Sequence, residues 1–273
     1  MTAVDETTPT QAGSRTPILE ARGVTMRFGG LTAVKDVAMT VHEGEIVGLI
    51  GPNGAGKTTF FNCLTGLYKP TEGRVRLLGT ELPPKPRAVV IAGMARTFQN
   101  IRLFANMTAL ENVMVGRYCR TSSMAITSIL RGPKFRREEA ETRERAQELL
   151  DFVGLGKTAE HLARNLPYGD QRRLEIARAL ATDPKLILLD EPTAGMNPKE
   201  TQQASDLIFK IRDSGLAVVV IEHDMRFIFN LCDRVLCLVR GEVLVEGSPA
   251  EVQSDPRVIE AYIGGAGDDE EVE

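Results

Sequence analysis

The sequence predicts an α/β protein in which buried strands alternate with helices around a phosphate-binding loop. Two observations support this fold class. Short apolar runs at residues 46–50, 186–189 and 218–221 are each followed by a polar turn and then by a helical pattern. Such runs are typical of strands that are buried on both faces of a parallel sheet. The first run also leads into a glycine-rich segment at residues 51–59.

The bulk composition limits the possible architectures and partners. The chain has 273 residues, of which 42% are hydrophobic and 26% charged, which suits one large α/β domain or one domain with a smaller lobe. The net charge of −4 argues against a nucleic-acid partner. No apolar run approaches the roughly 20 residues of a membrane span. We expect residues 1–16 to form a disordered tail and residues 266–273 a solvated acidic tail.

The elements on either side of the phosphate loop differ in pattern. Residues 18–41 alternate between apolar and polar and are interrupted by Gly29 and Gly30, which predicts antiparallel strands. Residues 105–165 lack a strand pattern. Thr108 and Glu111 have the spacing of a capping box, and a further helix is predicted from about Arg137 to Gly154. We therefore predict a helical subdomain, at about residues 105–183, inserted in the α/β core.

Two further features of the sequence concern thiols and charge. The four cysteines, Cys63, Cys119, Cys232 and Cys237, form no Cys-x-x-Cys pair, so we expect them to be reduced and buried. Between residues 112 and 137 lie six basic residues and no acidic one. This segment is either a solvated loop or a face near lipid headgroups, and the sequence leaves both interpretations open.

The segment at residues 51–58 matches the phosphate-loop pattern, Gly followed by four residues and then Gly-Lys-Thr. Glycines allow consecutive backbone N–H groups to point into one concavity, and the following helix N-terminus favours an anion. Lys57 supplies a positive charge for the β- and γ-phosphates, and Thr58 supplies a hydroxyl for Mg²⁺. The predicted phosphate-contacting residues are Gly51, Pro52, Asn53, Gly54, Ala55, Gly56, Lys57, Thr58 and Thr59.

Polar residues at the ends of other strands are candidates for the catalytic groups. Asp190 and Glu191 directly follow a buried run, and His223 follows another. In open α/β sheets, ligands bind at the carboxyl ends of the strands. We expect Asp190 to hold Mg²⁺ and Glu191 to orient or deprotonate the attacking water. His223 taken alone fits a capping or core histidine, and together with the other strand ends it is a candidate contact of the γ-phosphate. Gln99 also follows a possible strand.

A second potential anion site lies at the start of another helix. The segment Leu166, Pro167, Tyr168, Gly169 and Asp170 precedes apolar residues at helical spacing, and a free helix N-terminus attracts phosphate. One chain with two half-sites suggests that two copies enclose a nucleotide, each contributing a different half.

The order of these motifs resembles the nucleotide-binding subunit of ATP-binding cassette (ABC) transporters. The match extends from about Ile18 to Ile263, which implies a P-loop NTPase fold of ABC type over residues 17–265 with ATP and Mg²⁺ as ligands. The segments FGGLTAV (28–34), NLPYGDQRRLEIARAL (165–180), AGMNPKET (194–201), IEHDM (221–225) and VIEAYIGG (258–265) look most like the ATPase of branched-chain amino acid importers.

The resemblance implies further roles. Phe28 would stack on adenine, and Gln99 would contact Mg²⁺ and the attacking water and link the site to a membrane partner. Glu191 would be the catalytic carboxylate and His223 the γ-phosphate switch. The loop of Gly195, Met196 and Asn197 would cross the dimer interface.

The sequence departs from the family's pattern in two places. The signature segment usually reads Leu-Ser-Gly-Gly-Gln, whereas Pro167 in this chain offers neither a hydroxyl nor an N–H to a γ-phosphate. The contact across the dimer would then depend on Gly169 and neighbouring backbone. Asn197 replaces the usual aspartate of the interface loop. Neither departure alters Lys57, Asp190 or Glu191, so hydrolysis is expected.

The resemblance implies an importer ATPase at the cytoplasmic face of the cell membrane. Its partners would be a second ABC ATPase subunit, identical or different, integral membrane permease subunits and, indirectly, an extracytoplasmic solute-binding protein. Urea, short amides and other amino acids remain alternative solutes. A soluble cassette ATPase that acts on DNA or ribosomes is a further alternative, although 273 residues leave no room for two cassettes or a long coiled coil.

Overall fold

The structure is a computed structural model that describes residues 16–119 and 133–263. Residues 1–15 of the predicted disordered tail, the acidic tail at 266–273 and residues 120–132 of the basic segment lie outside the described residues. The predicted fold class is confirmed, because β-strands and α-helices alternate around a mixed sheet.

The strands are numbered in chain order. They are β1 (Pro17–Phe28), β2 (Leu31–His42), β3 (Ile46–Ile50), β4 (Glu72–Leu77), β5 (Thr80–Glu81), β6 (Met94–Arg96), β7 (Leu186–Asp190), β8 (Ala217–Ile221), β9 (Arg234–Val239) and β10 (Glu242–Gly247). All three strands predicted from the apolar runs are confirmed as β3, β7 and β8.

The helices are numbered in the same way. They are α1 (Lys57–Leu64), α2 (Pro86–Ala92), α3 (Ala109–Arg117), α4 (Pro133–Phe152), α5 (Tyr168–Leu180), α6 (Pro198–Asp213), α7 (Met225–Leu231), α8 (Pro249–Ser254) and α9 (Pro256–Ile263). Short 3₁₀ turns at Gly156–Thr158 and Ala163–Asn165 connect α4 to α5.

Two sheets form the scaffold. A six-stranded sheet has the order β10-β9-β3-β8-β7-β6, in which only β10 runs antiparallel to its neighbour. The N-terminal strands form a separate four-stranded antiparallel sheet of order β2-β1-β4-β5, and Gly29 and Gly30 make the turn between β1 and β2. The prediction of antiparallel strands at the start of the chain is therefore confirmed.

The central strands are buried because each face packs against a different layer. Neighbouring side chains on a strand point to opposite faces. Ile46 and Ile50 of β3 pack in the cluster that contains Leu207 and Ile208 of α6, whereas Val47 and Leu49 pack with α1 and the antiparallel sheet. Burial on both faces explains why these strands lack the polar alternation that the N-terminal strands show.

The helices between β6 and β7 pack on one another as a lobe. Leu110 and Val113 of α3, Leu149 and Leu150 of α4, and Leu174 of α5 belong to one buried cluster. The capping box is confirmed: the Thr108 hydroxyl accepts from the Glu111 N–H, and the Glu111 carboxylate accepts from the Thr108 N–H.

One boundary of this lobe differs from its prediction. Helix α4 begins at Pro133, four residues before the predicted start at Arg137. Proline is well suited to the first turn of a helix, because its fixed φ is helical and its missing N–H would be unpaired there. Across the described residues, no helix combines the length and apolar character that crossing a bilayer requires.

The expectation that every cysteine is buried is wrong for Cys119. Cys63, Cys232 and Cys237 are buried, whereas Cys119 is exposed just after α3, and all four thiols are free. Burial raises the pKa of Cys63 and of Cys237 to about 11 and also raises the pKa of Cys232. Cys119 lies two residues beyond the end of α3, where no helical spacing in the sequence indicates which side chains are buried.

We expect one thiol per native chain to react rapidly with Ellman's reagent at neutral pH. Buried thiols with raised pKa values form little of the thiolate that reacts. The Cys119→Ser variant should lose the fast phase, and the matched variant Cys63→Ser should keep it. Fast reaction of more than one thiol in the folded wild type would contradict the burial of the other three.

Candidate active site

The phosphate loop connects the end of β3 to the start of α1 and needs glycine at both of its ends. At Gly51, φ is +149° and an added Cβ would lie 2.1 Å from the Leu238 carbonyl oxygen. At Gly56, φ is +95° and an added Cβ would lie 2.4 Å from the Ala33 carbonyl oxygen. The backbone therefore passes too close to β2 and β9 for any side chain at these positions.

The Lys57 ammonium group lies inside the curve of this loop. It donates hydrogen bonds to the carbonyl oxygens of Gly51, at 2.5 Å, and Pro52, at 2.9 Å. Burial lowers the pKa of Lys57, and the nearby negative charges of Glu191 and Asp190 oppose that shift. The loop thus holds a cation next to the two strand-end carboxylates, which is the charge arrangement that a bound polyphosphate and its metal require.

The three side chains predicted to be catalytic lie together at one carboxylate. Gln99 donates from Nε2 to Oε2 of Glu191 at 3.0 Å, and Nδ1 of His223 lies 3.7 Å from the same oxygen. Glu191 has a φ of +47°, which lies in the left-handed region. This conformation is unfavourable in free energy for any residue that has a side chain. The Glu191 N–H donates to the Ile221 carbonyl oxygen at 2.9 Å, which fixes this unusual turn.

Parallel register explains why these residues meet. Asp190 of β7 is paired with Ile221 of β8, and Leu49 of β3 is paired with the same Ile221. The carboxyl ends of the three strands are therefore level. The residues that follow them, Gly51, Glu191 and His223, leave the sheet at one edge.

Asp190 has a protein partner that the sequence pattern did not predict. Its Oδ2 accepts a hydrogen bond from Arg96 at 2.7 Å, and both side chains are largely buried. The guanidinium group also donates to Oδ1 of Asn62 in α1 and lies over the rings of Phe61 and Phe98. Arg96 thus connects the metal candidate Asp190 to helix α1.

The donor chemistry fits a magnesium ion. Mg²⁺ at nucleotide sites is typically held by one or two carboxylates together with substrate phosphates and water. Thr58 is exposed in the first turn of α1, Asp190 is buried at the end of β7, and Gln99 carries a side-chain amide whose Nε2 binds Glu191. Within the described ranges, no group of three or more His, Cys, Asp or Glu side chains is arranged to hold a metal ion.

Phe28, predicted to stack on adenine, lies at the turn between β1 and β2. Its side chain is 42% exposed and makes an edge-to-face contact with Tyr68, at 5.4 Å between ring centroids. The residue therefore presents an accessible aromatic surface with a supported ring, which is what stacking on a base needs.

The signature segment contacts the interface loop of the same chain. A Cβ added at Gly195 would lie 3.4 Å from the Tyr168 ring, and one added at Gly169 would lie 3.1 Å from Oε1 of Glu200. Pro167 caps α5 without a side-chain hydrogen bond, as its chemistry predicts. Asp170, in the first turn of α5, pairs with Arg173.

Asn197 keeps a structural function despite replacing aspartate. Its side chain accepts from the N–H groups of Lys199 and Glu200, and the Glu200 carboxylate accepts from the Asn197 N–H at 3.0 Å. A capping box therefore starts α6 directly after the interface loop. A neutral amide provides the oxygen that this cap needs as well as a carboxylate does.

Arg172 links the signature helix to the segment that carries Gln99. Its guanidinium group, 4% exposed, donates to the carbonyl oxygens of Phe98 and Gln99 and to the Tyr168 hydroxyl. Glu175, on the next turn of α5, accepts from the Arg102 N–H, and burial raises its pKa. A movement of α5 would therefore pull on the backbone of Gln99.

Glu222 is a second residue to which the sequence pattern assigned no role. It is 1% exposed and accepts hydrogen bonds from the Thr193 hydroxyl at 2.6 Å and the Thr193 N–H at 2.8 Å. Its other oxygen accepts from the His223 N–H at 3.3 Å. Glu222 thus ties the loop that follows Glu191 to the backbone of His223. The sequence feature that could have identified Glu222 is a carboxylate directly after the apolar run of β8.

Two family profiles match the chain. The profile described as ABC transporter matches residues 34–194, and the profile described as branched-chain amino acid ATP-binding cassette transporter matches residues 242–268. The high-affinity branched-chain amino acid transport ATP-binding proteins LivG of Salmonella typhimurium and BraF of Pseudomonas aeruginosa are each 46% identical to it. Each alignment covers 92% of this chain and 99% of the relative.

Solved structures of cassettes have the same fold. The ADP conformation of MJ1267, an ATP-binding cassette of an ABC transporter, superimposes with a TM-score of 0.80 at 33% identity and covers 91% of this chain and 99% of that chain. The dimeric post-hydrolysis state of the cassette MJ0796 bound to ADP and Pi superimposes with a TM-score of 0.70 at 30% identity, covering 85% and 99%.

We expect Glu222→Gln to lower the kcat for ATP hydrolysis by about tenfold, which corresponds to about 1.4 kcal/mol, with little change in KM. The amide keeps the volume of the carboxylate, but its NH₂ group would oppose the His223 N–H and displace the histidine. Thr193→Val should act in the same direction. The matched control Glu242→Gln alters an exposed carboxylate and should retain wild-type turnover. Wild-type kcat in both test variants would contradict the positioning role.

Proposed function

The chain belongs to the ABC transporter family and is an ATPase of that family, and on this premise we propose that it powers the uptake of branched-chain amino acids. The observation that carries the proposal is the similarity to LivG and BraF over 92% of the chain, together with the match of residues 242–268 to the branched-chain profile. The geometry of the strand-end site supports the ATPase roles of the individual residues.

In the proposed site, the backbone N–H groups of residues 51–59 receive the phosphates and Lys57 supplies the positive charge. The Lys57 ammonium already lies inside the curve of the loop, bound to two carbonyl oxygens that a phosphate oxygen can replace as acceptors. Phe28 stacks on the adenine ring. Stacking uses the face of the base rather than its edges, so this contact distinguishes ATP from GTP poorly.

Hydrolysis centres on Glu191. Its carboxylate orients the attacking water and accepts the water's proton, and Gln99 holds that carboxylate through the hydrogen bond from Nε2. Nδ1 of His223 lies 3.7 Å from the same oxygen, and this side chain would contact the γ-phosphate. Thr58, Asp190 and the Gln99 amide oxygen would hold Mg²⁺, which neutralises developing negative charge on the phosphate oxygens.

Two cassettes are proposed to close around the nucleotide. The dimeric form of the related cassette MJ0796 supports such an arrangement. Each copy would contribute Gly169 and the first backbone N–H groups of α5, with the interface loop of Gly195, Met196 and Asn197 crossing between copies. Leu166, Pro167, Tyr168 and Asp170 frame this contact. Because Pro167 has no hydroxyl, the contact rests on backbone donors and on the dipole of α5.

Coupling to transport would run from the site to membrane-spanning permease subunits. The hydrogen bonds from Arg172 join the signature helix to the backbone of Gln99, so closure of the dimer and movement of the Gln99 segment are mechanically connected. We propose that the subunit lies at the cytoplasmic face of the membrane, bound to these permeases, with a second cassette as its mate. A solute-binding protein would act with it only indirectly, across the membrane.

We expect Glu191→Gln to reduce ATP hydrolysis on the order of a hundredfold or more, because the amide is a poor base. Nucleotide binding should persist, so that ATP accumulates in a closed dimer on size-exclusion chromatography. Glu43→Gln, an exposed carboxylate outside the site, is the matched control and should behave as wild type. Wild-type turnover by Glu191→Gln would mean that another group serves as the base.

The solute is tested by reconstitution with the permease subunits and binding protein of the same organism in proteoliposomes. We expect ATP-dependent uptake of labelled leucine, isoleucine and valine, and no uptake with Lys57→Ala in place of the wild type. Uptake of urea or short amides instead of these amino acids would show that the transporter carries one of the alternative solutes. Failure to associate with any permease, together with retention on nucleic acid, would contradict the transport proposal altogether.

A further inference from the structure

The C-terminal helix makes a direct hydrogen bond to the phosphate loop. The Tyr262 hydroxyl of α9 accepts from the Gly51 N–H, with 2.6 Å between oxygen and nitrogen, across 211 positions of sequence. Gly51 is the first residue of the loop after β3. None of the roles described above uses this contact, although it joins the last described helix to the backbone that receives the phosphates.

Gly51 is held from both sides. Its N–H donates to Tyr262, and its carbonyl oxygen accepts from the Lys57 ammonium at 2.5 Å. The Leu238 carbonyl oxygen also lies close to Gly51, only 2.1 Å from where an added Cβ would lie. Any change in the backbone angles of Gly51 would therefore break the bond to Tyr262 or displace Lys57.

The tyrosine is well placed to act as a fixed acceptor. Val258 of the same helix is buried and the Tyr262 ring is half-buried, and both pack with the core that contains Ile50 and Cys237. Burial raises the pKa of Tyr262, with a further contribution from the neighbouring Cys237 thiol.

We propose that Tyr262 is a positioning residue for nucleotide binding, so that the affinity of the phosphate loop for ATP and ADP depends on the docking of α9. The proposal concerns nucleotide affinity alone and holds whichever solute the transporter carries. Its failure would leave the proposed function intact, and a wrong solute would leave this inference intact.

Removing the hydroxyl has a defined consequence. Phenylalanine keeps the ring and its packing but leaves the Gly51 N–H buried without an acceptor, which is unfavourable. The loop would relax towards backbone angles that satisfy this group. Glu191, Gln99 and His223 follow other strands, so the hydrolytic step should change little once nucleotide is bound.

The experiment compares Tyr262→Phe with the wild type by calorimetric titration with ADP and by steady-state ATP hydrolysis. We expect the Kd for ADP and the KM for ATP to rise by about fivefold to tenfold, with kcat at saturating ATP within about twofold. The matched control is Ile259→Ala on the same helix. Ile259 is 48% exposed, so this variant should keep wild-type affinity. Thermal melts verify that both variants are folded.

Hydrogen exchange provides a second measurement, in which the expected result differs from the result of a general loss of stability. The Gly51 amide should exchange faster in Tyr262→Phe while the amides of β8 keep their protection. Coupling is reciprocal, so ADP should slow exchange in α9 of the wild type, a test that needs no variant. The proposal would be overturned by an unchanged Kd for ADP in folded Tyr262→Phe, or by a lower kcat at unchanged KM in that variant. It would also be overturned if ADP left the exchange rates of the α9 amides unchanged in the wild type.

Discussion

The parallel register of β3, β8 and β7 is the constraint on which the rest of the site depends. These strands are only five residues long, and they are buried on both faces, so a shift of one position would turn every side chain to the wrong layer. The observed register brings the end of β3 level with the ends of its neighbours. The phosphate loop, the Glu191 turn and His223 then emerge at one edge, and none of them needs a long connection to reach the others.

Buried polar side chains connect the loops that this edge presents. Arg172 joins the signature helix to the Gln99 segment, Glu222 joins the Glu191 turn to His223, and Arg96 joins Asp190 to α1. Hydrogen bonds that involve a charged group are typically worth about 1.5 to 3 kcal/mol. Each of these contacts would be costly to break in the interior. Loops tied in this way move together.

The departures from the usual signature have local structural explanations. Tyr168 occupies the place of a small residue, and its ring lies against Gly195 while its hydroxyl accepts from Arg172. Pro167 starts α5 with a backbone geometry that needs no side-chain cap. Asn197 caps α6 as an aspartate would. With these residues in place, the signature helix contacts both the interface loop and the Gln99 segment within one chain.

Local pattern alone determined the central strands, one helix start and two of the candidate catalytic groups. The apolar runs predicted β3, β7 and β8, the capping box predicted the start of α3, and the residues after two apolar runs are Glu191 and His223, whereas the role of Gln99 followed only from the family resemblance. Short-range rules suffice for these features, because strand burial, helix caps and glycine conformation act between residues that are near in sequence. Only the tertiary structure decided that Arg96 holds Asp190, that Cys119 is exposed and that Tyr262 reaches Gly51. Those facts depend on contacts between distant segments, and no local periodicity encodes which surfaces will meet.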